Sequence, residues 1–138
     1  MNFVSIRVIT EDVARLVAFY ERVTGVRADW ATEDFAEVRT PAATLAIGST
    51  RTVPLFAPGS AEPAANRSVI IEFLVDDVDA IYRDLAGFID EADFVNEPTT
   101  MPWGNRALLF RDPDGNLVNF FTPVTEAARA KFGRPSGK

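Results

Sequence analysis

The chain has 138 residues, 47% of them hydrophobic and 25% charged, which fits one domain with a real core. It contains no Cys and no His, excluding disulfides, thiolate nucleophiles, iron–sulfur and cysteine zinc sites, Ser-His-Asp triads and 2-His-1-carboxylate iron centres. A net charge of −6 with scattered basic residues argues against a nucleic-acid partner and suits a neutral or cationic small ligand, or solubility alone. No apolar run approaches the roughly 18 residues of a membrane span. The start, Met1 to Arg7, lacks a secretory-signal pattern, so the chain reads as soluble and cytoplasmic with no membrane partner.

An internal repeat organises the rest. Val4 to Val13 aligns without a gap to Val69 to Val78, and each segment reads as a strand running into a helix. Alternation puts Val4, Ile6 and Val8 on one face of the first strand and Ser5 and Arg7 on the other. Glu11-Asp12, and Asp76-Asp77 in the second copy, sit where carboxylates cap a helix, so they need no catalytic explanation. The first helix is predicted from Val13 to Thr24, with Val13, Leu16, Val17, Tyr20 and Val23 at helical spacing and Gly25 as its stop. Strands over Val26 to Ala31, Phe35 to Arg39 and Ala43 to Gly48 complete the first βαβββ module.

Thr52 to Ser68, with Pro54, Pro58, Gly59 and Pro63, suits a surface linker and argues against a regular element. In the second copy, Val69, Ile71, Phe73 and Val75 oppose Ile70 and Glu72, and a helix follows from Val78 to Leu85. Strands are then predicted over Phe88 to Asn96, Asn105 to Arg111 and Leu117 to Phe121. The last two are joined by Asp112-Pro113-Asp114-Gly115-Asn116, a sequence with hairpin-turn chemistry. A short helix is expected from Thr125 to Phe132 and disorder from Gly133 to Lys138. The plan is α+β: module one over 3–50, a linker over 51–67, module two over 68–123 and a tail over 124–138, all within one domain.

Val75-Asp76-Asp77-Val78, Pro98 to Gly104 and Phe110 to Val118 closely resemble the glyoxalase, bleomycin-resistance and extradiol-dioxygenase superfamily, of vicinal-oxygen-chelate type. Asp12-Val13, Phe19-Tyr20 and Gly25 resemble its matching half, and the resemblance runs from about Phe3 to Pro123. It implies a curved mixed sheet enclosing a cleft, helices on the outer face, and a homodimer with the cleft at or near the subunit interface. The positions that hold metal in metal-bearing members are here Ser5, Ala46, Ile70 and Asn119. Ala46 and Ile70 carry no donor atom, and neutral Ser and Asn hold divalent metal poorly, so no metal and no cofactor are expected. A carboxylate-only magnesium site through Glu37 or Glu72 is the alternative.

The inward-facing set implied by the resemblance is Ser5, Arg7, Ala46, Ile70, Glu72, Leu117, Asn119 and Phe121. Arg7 and Glu72 occupy equivalent places in the repeat and are expected to form an ion pair, for which mutual neutralisation of two partly buried charges is the plainer account. Trp30, Phe35, Phe56, Trp103 and Phe121 offer flat surfaces to a planar ligand, although lone aromatics more often belong to cores. Trp103, between Pro102 and Gly104, is the foremost of them, and Arg106 is a candidate for a ligand carbonyl or carboxylate. Three functions follow: sequestration of a small hydrophobic or aromatic compound such as an antibiotic, a metal-free enzyme acting on a carbonyl or epoxide, or a scaffold with a filled cleft. The enzyme would be a lyase, isomerase or hydrolase with Glu37 or Glu72 as base.

Overall fold

The structure, a computed structural model, describes residues 1–133; all of the expected disordered tail except Gly133 lies outside the described residues. In the first module, β1 (Ser5–Thr10) leads into α1 (Val13–Thr24), followed by β2 (Asp29–Thr32), β3 (Phe35–Arg39) and β4 (Thr44–Ser49). A 3-10 turn over Thr50–Thr52 then runs into α2 (Val53–Phe56). In the second, β5 (Ile70–Leu74) leads into α3 (Val78–Leu85), a 3-10 turn over Glu91–Asp93, β6 (Thr99–Thr100), β7 (Asn105–Arg111) and β8 (Leu117–Pro123), and α4 (Glu126–Phe132) ends the chain described.

Each module makes its own four-stranded mixed sheet, β1-β4-β3-β2 and β5-β8-β7-β6, with β1 parallel to β4 and β5 parallel to β8. The chain divides into two compact units, Met1–Asn66 with Pro113–Gly115, and Arg67–Asp112 with the residues from Asn116 on. Residues 51–66 therefore group with the first unit. Contrary to the linker reading, this stretch opens with regular structure: Pro54 falls in the first turn of α2, where its missing N–H has no helical partner to lose.

Both helices begin as the acidic clusters anticipate. Asp12 accepts a hydrogen bond from the Arg15 N–H and Asp77 from that of Ala80, each satisfying a donor the first turn leaves free. Gly25, at φ 73°, closes α1 in the left-handed region open to glycine. Val13, Leu16, Val17, Tyr20 and Val23 of α1 are buried, and α1 lies against β3 and β4, where Ala36, Val38, Leu45 and Ile47 are also buried. In the second module, α3 lies against β7 and β8, whose Leu108, Phe110, Val118 and Phe120 are fully buried. Phe120 meets Phe110 and Phe73 edge-on, with centroids 5.0 and 5.4 Å apart.

The expected strand over Phe88 to Asn96 is not regular. Only Phe94 forms an isolated bridge, to Phe110, after the 3-10 turn. The Asn96 side chain then accepts from the Leu109 N–H at 2.7 Å, standing in for a ladder carbonyl, and Pro98 cannot extend the pairing because it has no N–H. The Asp112–Asn116 turn is as expected: Asp112 Oδ1 accepts from the Asn116 N–H and its Oδ2 from Asn116 Nδ2, while Gly115 takes φ 83°. No helix among the described residues is long and apolar enough to cross a membrane.

Candidate functional site

In each module one sheet face is packed against its helix, and the alternate residues form the other, open face. In module one Arg7 pairs with Ala46, which pairs with Glu37, so these three share a row across β1, β4 and β3 on the face away from α1. The adjoining rows are Ser5, Thr44 and Arg39 on one side and Ile9, Gly48 and Phe35 on the other. Ala46 is nearly inaccessible and ends at Cβ, leaving Arg7 and Glu37 two strand spacings apart, about 10 Å, with a low floor between.

The Arg7 side chain leans along the strand instead of across that floor. Its guanidinium carbon lies over the Phe35 ring at 4.4 Å from the centroid and over Phe56 of α2 at 5.3 Å. Gly48 lies beside this course: a Cβ there would crowd Thr52 Oγ1 at 3.1 Å and meet Arg7 Nη1 at an ordinary 3.8 Å. Glu37 is held by Arg39 at 3.0 Å, and Arg39 also reaches Asp29 at 3.5 Å. Asp34 accepts from Arg51 and Ser49, which holds its carboxyl below the usual range. Phe35 and Phe56, both read from the sequence as flat surfaces, thus stand with Arg7, and Gly48 joins the face expected to hold Ser5, Arg7 and Ala46.

In module two the corresponding row is Glu72, Asn119 and Leu109, with Ile70 and Leu117 beside it. Asn119 Nδ2 donates to Glu72 at 2.9 Å, and Asn119 Oδ1 is buried without a hydrogen-bond partner. Arg7 and Glu72 each have a neighbour inside their own module, Arg7 the rings of Phe35 and Phe56 and Glu72 the amide of Asn119. Phe121 shares the open face but is buried, with the Phe132 ring of α4 edge-on at 5.0 Å. Positioning of α4 depends on Gly104, where a Cβ would collide with Thr125 Oγ1 and crowd Ala128.

The remaining candidates stand apart. Trp30 is in register with fully buried Ala36, on the helix side of the edge strand β2, and is half-exposed. Arg106 is in register with Thr122, whose hydroxyl accepts from the Val78 N–H; it also faces the helix. Its guanidinium donates twice to Asp79 of α3, at 2.8 and 3.0 Å, and this pairing lowers the Asp79 pKa. Trp103 is 68% exposed in the loop between β6 and β7.

The Glyoxalase/Bleomycin resistance protein/Dioxygenase superfamily matches residues 2–120 of the chain. The chain belongs to this superfamily. Solved structures agree with the fold. A protein of unknown function from Agrobacterium tumefaciens str. C58 is 24% identical with a TM-score of 0.75, over 88% of this chain and 94% of that one. A glyoxalase/bleomycin resistance protein/dioxygenase from Nocardioides is 22% identical with a TM-score of 0.72, over 91% and 85%. TioX from Micromonospora sp. ML1 is 24% identical with a TM-score of 0.65, over 90% and 100%. No curated protein sequence matches the chain.

As a superfamily member the chain invites a test of the metal-holding positions. Ser5 and Ala46 lie on the face of module one that carries the Arg7 cation, and Ala46 is paired directly with Arg7. Ile70 has no donor, and Asn119 offers only a buried, neutral amide oxygen. Glu37 is bridged by Arg39, and no three carboxylates come together among the described residues. These side chains do not fit a divalent cation.

Proposed function

We propose that the protein binds a small hydrophobic or aromatic compound without a metal ion, in the manner of a sequestering protein, and that an antibiotic is the class to try first. The observation that carries this reading is the module-one open face: two accessible phenyl rings and a guanidinium around the low floor at Ala46, where a metal-bearing relative would place ligands. Aromatic walls with a few directed polar groups are what a planar ligand requires. The bleomycin-resistance branch named in the family description supports the choice of compound. The reading includes a cytoplasmic homodimer and, within module two, contributions from Ile70, Glu72 and Asn119 and from the exposed Trp103.

The test is intrinsic tryptophan fluorescence during titration with planar antibiotics, with and without Mn²⁺, Ni²⁺ and Zn²⁺. Metal-independent quenching that disappears in Trp103→Ala supports the reading and places Trp103 at the ligand. Quenching only in the presence of metal contradicts it.

One observation favours a second reading. Asn119 fixes the Glu72 carboxylate from one side on an open face, as a positioned general base would be held. Turnover of a carbonyl or epoxide substrate that is abolished in Glu72→Gln would establish a metal-free enzyme; binding without conversion would exclude it for the substrates tried.

A further inference from the structure

The Arg7 guanidinium has five N–H donors and neither of its neighbours can satisfy them. Phe35 and Phe56 attract the cation through their π-faces but offer no lone pair, and among the described residues Arg7 makes no ion pair. The carboxylates nearest in the sheet are committed elsewhere: Glu37 to Arg39, Asp29 to Arg39, and Asp34 to Arg51. An exposed cation held by two rings, with no carboxylate of its own among the described residues, can receive an acceptor from outside.

From this we infer that the ligand of the module-one face is an aromatic acid, whose carboxylate or equivalent anionic oxygens are taken by Arg7 while its ring packs beside Phe35 and Phe56. This deepens the aromatic-binding reading above and rests on it. Planar guanidinium matches a carboxylate with two parallel N–H···O bonds, which a Lys ammonium cannot reproduce. The protein's charge of −6 opposes an anion at long range, but that repulsion is screened beyond about 10 Å, so the contact itself decides.

Calorimetric titration with 2-naphthoate and with its neutral analogue 2-naphthamide separates the two levels of the argument, because ring and size are shared. The acid is expected to bind about tenfold or more tightly than the amide, as a charge-assisted hydrogen bond warrants. Arg7→Gln is expected to erase that preference, and Arg7→Lys to retain only part of it, each with an unaltered circular-dichroism spectrum. For the unmodified protein, which needs no variant to fold, the preference should shrink as salt is raised. Equal affinities, or a preference that survives in Arg7→Gln, overturn this inference alone. Failure of both compounds to bind overturns it together with the aromatic-binding reading.

Discussion

The first strands of the two modules pair with the fourth in matching register, Arg7 beside Ala46 and Glu72 beside Asn119, yet the polar group fares differently in each. In module one the neighbour is a methyl group and the charge leans onto Phe35 and Phe56, without a carboxylate partner among the described residues. In module two the neighbour is an amide that binds the charge directly, and the next residue of the face, Phe121, is covered by Phe132. A shared backbone plan therefore fixes where side chains stand but leaves their chemistry to be set residue by residue. Module one leaves its charge on aromatic rings; module two pairs its own with a neighbouring amide.

That contrast can be broken from the core outward. Phe110→Ala should cost about 3–5 kcal/mol by denaturant unfolding, since the ring is fully buried against Phe120 and a cavity would remain. Leu16→Ala, in module one, should cost about 2–5 kcal/mol, which makes the helix-packed faces equivalent even though the open faces are not. The caps sharpen the same point: Asp12→Ala and Asp77→Ala should each cost about 1 kcal/mol. A large inequality between them would mean that the repeat is not energetically symmetric at its helix starts.

Phe132→Ala should uncover Phe121, lowering stability by about 1 kcal/mol and raising hydrophobic-dye binding. The smallest effect concerns pH. Arg106 lowers the Asp79 pKa in the folded chain, so the pair's contribution is complete above the unfolded value of 3.8 and is lost as pH falls through the lower folded value. Asp79→Asn should accordingly flatten the acid limb of stability below about pH 4, while leaving neutral-pH binding to the module-one face unchanged.

Much of this was legible because each signal had one physical source. Helical spacing and the Asp12 and Gly25 caps fixed α1, and the turn chemistry of Asp112 to Asn116 fixed the β7–β8 hairpin. Strict alternation put Ser5 and Arg7 on one face. The face of Arg106 was hidden because Ala107-Leu108-Leu109-Phe110 is a continuous apolar run with no alternation to read. The face of Trp30 had no alternation to announce it, and a register shift follows it in the strand. Phe56 was legible as an aromatic, but its approach to Arg7 arises from contact between segments, and Asn96 replaces a strand with its side chain; no local pattern announces either.

The most direct test of the central claim is an amide and arginine-side-chain NMR spectrum of chelator-treated protein, recorded with and without saturating 2-naphthoate. The account requires shifts at Arg7 Nε–H and at the Phe35 and Gly48 amides, unaltered by subsequent Zn²⁺. Shifts that appear only after Zn²⁺ is added, or that avoid the module-one face altogether, would contradict it.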